Sequence, residues 1–159
     1  MKSIFSLVNL QTLDDTVNTL NTKVLFSAVR KKIDNGKNPV KANRVITYTE
    51  AVANIGGGMN LDTGTFKAPV AGLYSFSFSA TTEPNHHMTF IWLYKNDIYQ
   101  FRFTDHNTGG KHTYENFSYN WMMNLSRNDE IKLQMSYHNG LWVSDGEYIW
   151  FNGQLLKPE

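Results

Sequence analysis

All five histidines of this chain fall in three short segments that also carry side chains suited to ligand binding. The histidines are His86, His87, His106, His112 and His138, and the segments are 81–88, 104–115 and 137–146. Histidine titrates near pH 6.5, so acidification would add positive charge wherever these segments meet. We hypothesise that ligand binding or assembly depends on pH between about 5.5 and 7.5. The alternative is that the histidines are ordinary polar residues of solvent-facing loops.

The third segment has the components of a carbohydrate site. A sugar needs a flat apolar surface together with converging hydrogen-bond donors and acceptors. The run Tyr137-His138-Asn139-Gly140-Leu141-Trp142 offers both within one loop. The candidate ligand-binding residues of the three segments are Trp142 for stacking, and His138, Asn139, Asp145, Asp105 and Asn107 for polar contacts. The alternative role for Trp142 is to cap the hydrophobic core.

Metal and catalytic chemistry have weaker support in the residue pattern. Asp105, Asp145 and Glu147 could supply oxygens to calcium, but no EF-hand-like loop occurs, and we expect no required metal or other cofactor. His86 and His87 are adjacent, so in an extended chain they point to opposite faces. The chain has no cysteine, which excludes zinc–thiolate sites, disulfides and cysteine nucleophiles. No Gly-x-Ser-x-Gly or His-Glu-x-x-His motif occurs, so the sequence predicts a protein that is not an enzyme.

The stretches around these segments alternate as half-buried β-strands do. Tyr74, Phe76 and Phe78 are separated by single serines, and a period of two places the three rings on one face of a sheet. Further alternating stretches are 99–103, 117–125, 131–137 and 149–155. Phe90–Tyr94 is apolar throughout, which predicts a strand covered on both faces, one of them by a neighbouring subunit.

The order of the strands predicts where the three segments meet. If six strands run up and down in turn, the connections between them alternate between the two ends of the domain. The tight turns at 95–97 and 126–129 then lie at one end, and all three histidine-bearing segments lie at the other. Long loops on a rigid sandwich are where binding residues concentrate, so we predict that this second end is the binding surface.

Six short motifs follow one another between residues 22 and 157. They are Val24–Ala28, Val45–Tyr48, the glycine-rich bend 54–66, Leu93–Asp97, Leu125–Ile131 and Phe151–Leu156. Their order resembles that of the globular C1q-domain family, whose heads are trimers related in fold to tumour necrosis factor. The resemblance implies an all-β, ten-stranded antiparallel jelly-roll sandwich, packed as a trimer around a threefold axis. Asn128 stands where the family's turn usually has glycine, and asparagine tolerates the same left-handed backbone.

Residues 1–22 are predicted to form an N-terminal segment ahead of a C1q-like globular domain of residues 23–159. Apolar residues recur there with spacings of 3, 4, 3 and 4, which is the a/d pattern of a coiled coil: Leu10, Leu13, Val17, Leu20 and Val24. This pattern predicts a short trimerising stalk. A linker is the alternative, because only about two heptads are present and a coiled coil is normally recognised over three or four.

Charge and hydropathy exclude several partners. The 15 basic residues nearly balance 14 acidic ones, so no overall field would attract nucleic acid or an anionic membrane. No apolar run approaches the roughly 20 residues that span a bilayer. Asn-x-Ser sequons at Asn116 and Asn124 are compatible with secretion.

Together with the resemblance, these observations predict a secreted, extracellular recognition protein of the lectin-like kind found in invertebrate innate immunity. Its partners would be carbohydrates or microbial surface glycans, bound multivalently by a homotrimer. One alternative is a structural or adhesive matrix protein whose head only trimerises and links chains. Another is a cytokine-like ligand that binds protein through a side surface rather than through the loops.

Overall fold

The computed structural model of the chain is a sandwich of two five-stranded antiparallel sheets. It describes residues 10–14, 17, 22–31, 40, 42–82, 88–105, 114–136, 141 and 149–159. The strands are β1 (Leu25–Arg30), β2 (Glu50–Ile55), β3 (Met59–Asn60), β4 (Thr65–Lys67), β5 (Gly72–Thr82), β6 (Thr89–Lys95), β7 (Ile98–Asp105), β8 (Glu115–Leu125), β9 (Glu130–Met135) and β10 (Ile149–Pro158). Sheet A has the order β2-β1-β10-β5-β8, and sheet B has the order β3-β4-β9-β6-β7. The predicted ten-stranded jelly-roll sandwich is confirmed.

The core lies between the sheets and consists largely of aromatic rings. Tyr74, Phe76 and Phe78 on β5 are buried, while the serines between them face outward, as the period of two requires. Phe26 of sheet A stacks on Phe66 of sheet B with ring centroids 4.9 Å apart. Each fully buried ring of this kind stabilises the fold by about 1.5–3 kcal/mol.

Gly153 on β10 lets these rings meet. A Cβ at this position would lie 2.3 Å from Cε1 of Phe26 and 2.7 Å from Cδ1 of Phe76. Both distances are far below van der Waals contact, so any larger residue would have to displace a core ring. The absence of a side chain at Gly153 therefore permits a close approach of aromatic rings.

One end of the sandwich, here named the turn end, is closed by two tight turns. Asn96 and Asp97 both have positive φ, 50° and 64°, which is the backbone of a two-residue type I′ hairpin between β6 and β7. Asn128 has φ 72° in the turn between β8 and β9, as expected from its place in the glycine position of the family's motif. The Asp129 carboxylate joins the two turns, accepting hydrogen bonds from Asn96 Nδ2 at 2.7 Å and Ser126 N at 2.8 Å.

Strand pairing defines the opposite end, here named the loop end. Thr82 pairs with Glu115 and also bridges Leu141, while Thr89 pairs with Asp105. These residues flank or belong to the three histidine-bearing segments, so the described parts of all three lie at this end. Leu25, the first residue of β1, pairs with Gln154 instead, beside the turn end. The chain therefore enters the sandwich at the turn end, on the far side from the loops.

The residues before β1 include a short helical stretch. Residues 10–14 and 17 are helical, and Leu10, Leu13 and Val17 are 56%, 60% and 51% exposed. Val24, the last member of the predicted heptad repeat, is instead buried in the core of the sandwich. The stalk and the boundary between residues 22 and 23 stay predictions, with Val24 assigned to the globular domain.

Within the chain, strand β6 is covered on one face, and coverage of its other face by a neighbouring subunit stays a prediction. It lies between β9 and β7, with Ile91 and Leu93 buried in the core. Phe90, Trp92 and Tyr94 alternate with them and are only half-buried, on the outer face of sheet B. The chain thus covers one face of this strand. A continuous apolar run could not reveal this, because it has no polar positions to mark the outer face.

Candidate functional site

Only one of the predicted ligand-binding residues lies in the described part of the chain. Asp105 is the last residue of β7, partly buried at the loop end and paired with Thr89 of β6. The predictions for Trp142, His138, Asn139, Asp145 and Asn107 fall outside the described residues, as do all five histidines and Glu147. What can be described is the framework from which those loops extend.

Tyr119 holds the loop end closed where the two sheets meet at β7 and β8. Its hydroxyl donates a hydrogen bond to the carbonyl oxygen of Thr104 and accepts one from the Thr104 N–H at 3.2 Å. Both backbone groups of an edge-strand residue are thus satisfied by a side chain of the other sheet. Because Thr104 precedes Asp105, this contact fixes the point at which the second histidine-bearing segment begins. The alternating stretch 117–125 predicts only a strand here, and the signal for the contact is the Tyr119 hydroxyl, which a tyrosine removed from solvent must pair.

Arg30 anchors another strand end below the loops. It is the last residue of β1, is 7% exposed, and donates from Nη1 to the carbonyl oxygen and the Oγ1 of Thr47 at 2.9 and 2.8 Å. Burial lowers the pKa of Arg30, with a smaller opposing effect from Tyr48. Burial also raises the pKa of Tyr48 well above its usual value, and nearby Arg30 lowers it by less. Two buried polar side chains therefore lie near this end of β1.

The described residues contain neither a cluster of potential metal ligands nor a membrane-spanning helix. Among them, no group of three or more histidine, aspartate or glutamate side chains is placed to hold a metal ion. Calcium binding therefore stays a hypothesis about Asp105 together with Asp145 and Glu147, which lie outside the described ranges. Within the same described ranges, no helix has the length and apolar character needed to cross a membrane.

The outer face of sheet A is unusual in carrying almost no charge on four adjacent strands. Its outward residues on β1, β10, β5 and β8 are Leu25, Ser27, Val29, Trp150, Asn152, Gln154, Leu73, Ser75, Ser77, Ser79, Thr81, Asn116, Ser118, Asn120, Met122 and Asn124. Val29 and Thr81 among them are buried. The margin at the turn end adds one charge, Lys157, which pairs with Leu73 beyond a bulge in β10. Ser27 Oγ donates to Asn152 Oδ1 at 2.6 Å, and Asn152 Nδ2 donates to Ser77 Oγ at 3.1 Å. These bonds tie three strands together around a shallow depression of about 360 Å³. We name the uncharged surface inside this margin the neutral face.

Beside the neutral face, the aromatic seam between β8 and β7 is incompletely covered. Trp121 and Tyr119 on β8 pack against Phe103 on β7, with centroid distances of 5.0 and 4.6 Å. Both β8 residues are only half-buried, although Trp121 Nε1 is buried without a hydrogen-bond partner among the described residues. β8 is also an edge strand of eleven residues. Long edge strands with few charges invite pairing or packing with another chain.

Both sequons lie on this same edge strand. Asn116 and Asn124 are exposed near opposite ends of β8, on the neutral face. Asn116 Oδ1 accepts a hydrogen bond from Thr81 Oγ1. A glycan on either asparagine would project over the neutral face, with Asn116 the nearer to the loop end.

The two five-stranded sheets and their order define a jelly-roll domain of the C1q and tumour necrosis factor kind. Among solved structures, the globular domain of zebrafish complement 1qA protein matches with a TM-score of 0.69 and 20% identity, covering 86% of this chain and 99% of that one. The Eiger TNF structure from S. frugiperda matches with a TM-score of 0.66 and 11% identity, covering 86% of this chain and 95% of that one. At these identities the likeness is one of fold.

Sequence comparison defines the family. The family model for the C1q domain matches residues 25–156, and the chain belongs to the C1q-domain family. The chain is 30% identical over 115 residues to Complement C1q tumor necrosis factor-related protein 3 of Mus musculus, covering 72% of this chain and 45% of that protein. It is 33% identical over 125 residues to Complement C1q tumor necrosis factor-related protein 2 of Homo sapiens, covering 77% of this chain and 40% of that protein. The chain thus spans less than half the length of these relatives.

Proposed function

We propose that this chain is the recognition head of a secreted, non-enzymatic protein that assembles as a homotrimer and binds carbohydrates, including microbial surface glycans, through its loop end. The observation that carries this proposal is that the two ends of the sandwich differ. The turn end is closed by hydrogen-bonded turns and receives the N-terminal segment. The described bases of all three histidine-bearing segments lie at the opposite end. Loops at that end would face away from the predicted N-terminal stalk and would be accessible to a ligand.

The neutral face and the aromatic seam support assembly. A protein surface without charges loses little solvation when covered, and half-buried rings gain stability from further burial. In the proposed trimer, the seam of each copy packs against the neutral face of the next. Such a head-to-tail contact closes into a ring when the rotation is 120°. The trimeric state is also the expectation from the family.

The carbohydrate ligand rests on the composition of the loops. Trp142, His138 and Asn139 supply a ring and polar groups within one segment, and Asp105 lies at the base of another. Three modest sites that face one way would bind a repetitive glycan surface far more tightly than any single site does.

A glycan-array screen of the purified protein tests the ligand, run once with calcium and once with chelator. We expect binding to a defined sugar class that is lost in Trp142→Ala. Ile98→Ala is the matched control, because it removes an apolar side chain that is 67% exposed at the turn end. An array that stays silent in both conditions would refute carbohydrate recognition. Signal retained in Trp142→Ala would refute the loop site.

Sedimentation equilibrium tests the assembly. Asn120→Lys places a charge on the neutral face midway along the edge strand β8, beside Ser77, at a position that is exposed in the single chain. We expect a trimer for the wild type and monomers for Asn120→Lys, with both proteins folded. Thr63→Lys is the control, since it adds the same charge at an exposed position outside the neutral face. A trimer that survives Asn120→Lys would contradict the proposed interface.

A further inference from the structure

The outer face of sheet B carries a ridge of aromatic rings that the proposed loop site does not use. Trp92 and Tyr94 are half-buried on β6, and Tyr99 on β7 is 51% exposed. Tyr99 and Tyr94 are paired across the strands, with ring centroids 6.2 Å apart in an edge-to-face arrangement. Trp92 lies two residues along the strand from Tyr94, which is about 7 Å in an extended chain. The rings therefore form two adjacent rows on one surface. We name them the sheet B ridge.

Hydrogen-bonding side chains lie in the same two rows. Trp92 pairs with Arg102 on one side and with Gln134 on the other. Tyr94 pairs with Lys132, which in turn pairs with Thr65 of β4. Each ring is thus next to a long donor or acceptor on the same face of the sheet, about 5 Å away across the strands.

The ridge adjoins a polar depression. A hollow of about 770 Å³ lies at β3 and β4, lined by Asn60, Asp62, Thr65, Lys67 and Glu130 among others. Thr65 belongs both to this hollow and to the row that contains Tyr94. The surface therefore continues from the aromatic rings of the sheet B ridge into a concave region of hydroxyl, amide and charged groups.

Two of the cations on this surface are neutralised by ion pairs within the chain, and a third lies against an aromatic ring. Lys132 forms an ion pair with Asp97, and Lys67 forms one with Glu130 at 3.5 Å. The guanidinium of Arg102 lies 5.0 Å from the centroid of the Phe90 ring. A polyanion or a strongly charged protein would find little complementary field here. A neutral polyhydroxylated ligand fits better, because its apolar face can lie on the rings while its hydroxyls reach Gln134, Arg102 and Lys132.

We infer that the sheet B ridge is a second binding surface, for the pyranose rings of a neutral oligosaccharide. Trp92 and Tyr94 contact successive sugar units, and Gln134 and Arg102 hydrogen-bond to their hydroxyls. The surface lies on the opposite side of the sandwich from the neutral face, so a trimer built on the neutral face leaves it accessible. It stands independently of the loop site and would bind a glycan chain along the side of the head.

The test uses the assembled protein with Trp142→Ala as background, so that the loop site cannot contribute. Cellohexaose, mannohexaose and chitohexaose are titrated separately by isothermal calorimetry. We expect at least one of them to bind, and the affinity to fall at least tenfold when Trp92→Ala is added. Tyr99→Ala and Gln134→Ala should each weaken binding several-fold. Tyr99→Ala keeps the test informative if Trp92→Ala disturbs folding, since Tyr99 is largely exposed on an edge strand. Ile98→Ala is the matched control and should leave binding unchanged.

Three results would overturn the inference. The first is that no hexasaccharide binds in the Trp142→Ala background, even if the wild type binds; this outcome leaves the loop site standing. The second is binding that Trp92→Ala, Tyr99→Ala and Gln134→Ala all leave unchanged. The third is dissociation of the trimer by Tyr99→Ala, which would show that a neighbouring copy covers the ridge. The two sites can also be told apart in the other direction. If a hexasaccharide binds the ridge by calorimetry and Trp142→Ala leaves the glycan-array signal unchanged, the ridge is supported and the loop site is refuted.

Discussion

Asp129 at the turn end offers a direct test of what holds the two turns together. All three of its polar partners are donors: Asn96 Nδ2, the Ser126 N–H and Lys95 Nζ, the last at 2.8 Å. Asn96 cannot turn its amide to adapt, because its Oδ1 accepts a hydrogen bond from Glu130 N at 2.8 Å. Asp129→Asn keeps the shape of the side chain but replaces one accepting oxygen with an NH₂ group. The new NH₂ group must then face one of these three donors, so at least one hydrogen bond is lost.

The expected loss is moderate. The turn is near the surface, so we take about 1 kcal/mol for the hydrogen bond that is lost and about 0.5 kcal/mol for the donor left facing an NH₂ group. The Lys95 ion pair adds about 0.5 kcal/mol, since its lysine is partly exposed. Asp129→Asn should therefore lower the free energy of unfolding by about 2 kcal/mol at pH 7. That corresponds to a fall in melting temperature of about 4–8 °C for a chain of this size.

The pH dependence gives a second, independent readout. Burial tends to raise the pKa of Asp129, but the bonds from Lys95, Asn96 and Ser126 outweigh it and hold the pKa below its usual value. Stability from this carboxylate is therefore present above the usual pKa, about 3.9, and is lost as the pH falls through the lower folded value. The gap between wild type and Asp129→Asn should narrow below about pH 4.

Urea unfolding at fixed protein concentration measures both effects, because concentration matters if the protein is assembled. Asp97→Asn is the matched control. Asp97 lies at the same end, and its side chain is 79% exposed and paired with Lys132. We expect a change of less than about 0.5 kcal/mol there. The reasoning is refuted if Asp129→Asn is as stable as wild type at pH 7, or if both variants are equally destabilised.

Two further predictions concern the core. Gly153→Ala should destabilise the protein by about 2 kcal/mol or more, because the new methyl group displaces the ring of Phe26 or Phe76; an unchanged urea midpoint would contradict this. Tyr48→Phe removes a buried hydroxyl that has no hydrogen-bond partner among the described residues, so the variant should be at least as stable as wild type at pH 7. Above about pH 10 wild type should lose stability relative to Tyr48→Phe, since only the unfolded tyrosine ionises there. Parallel unfolding curves at about pH 7 and about pH 10.5 check this, and a constant difference would contradict it.

Much of the fold was predictable because its signals are local. The alternation around Phe76 identifies β5 from adjacent residues alone, and the structure confirms its buried face. Asn128 could be placed in a left-handed turn because few other residues adopt positive φ without cost. The grouping of the loop bases at one end followed from strand count and direction.

Other features depend on contacts that sequence patterns do not encode. Tyr119 joins Thr104 across two sheets, so nothing near either residue indicates the pair. Asn54 likewise binds both the N–H and the carbonyl of Met59, which joins β2 to β3 beside the glycine-rich bend. The outward rings of β6 could not be assigned a face without the structure. The roles of Trp142 and the other loop residues stay predictions, apart from the placement of Asp105.

The neutral face has a consequence for the conditions under which the protein would work. Inside the margin marked by Lys157, none of its outward residues titrates or carries charge, so an assembly built on it has little electrostatic attraction for added salt to screen. Its association should therefore be nearly the same in fresh water, serum and seawater. The histidine-rich loops, in contrast, would still respond to acidity. Salt would thus leave the assembly unchanged, while acidity would change the ligand contacts.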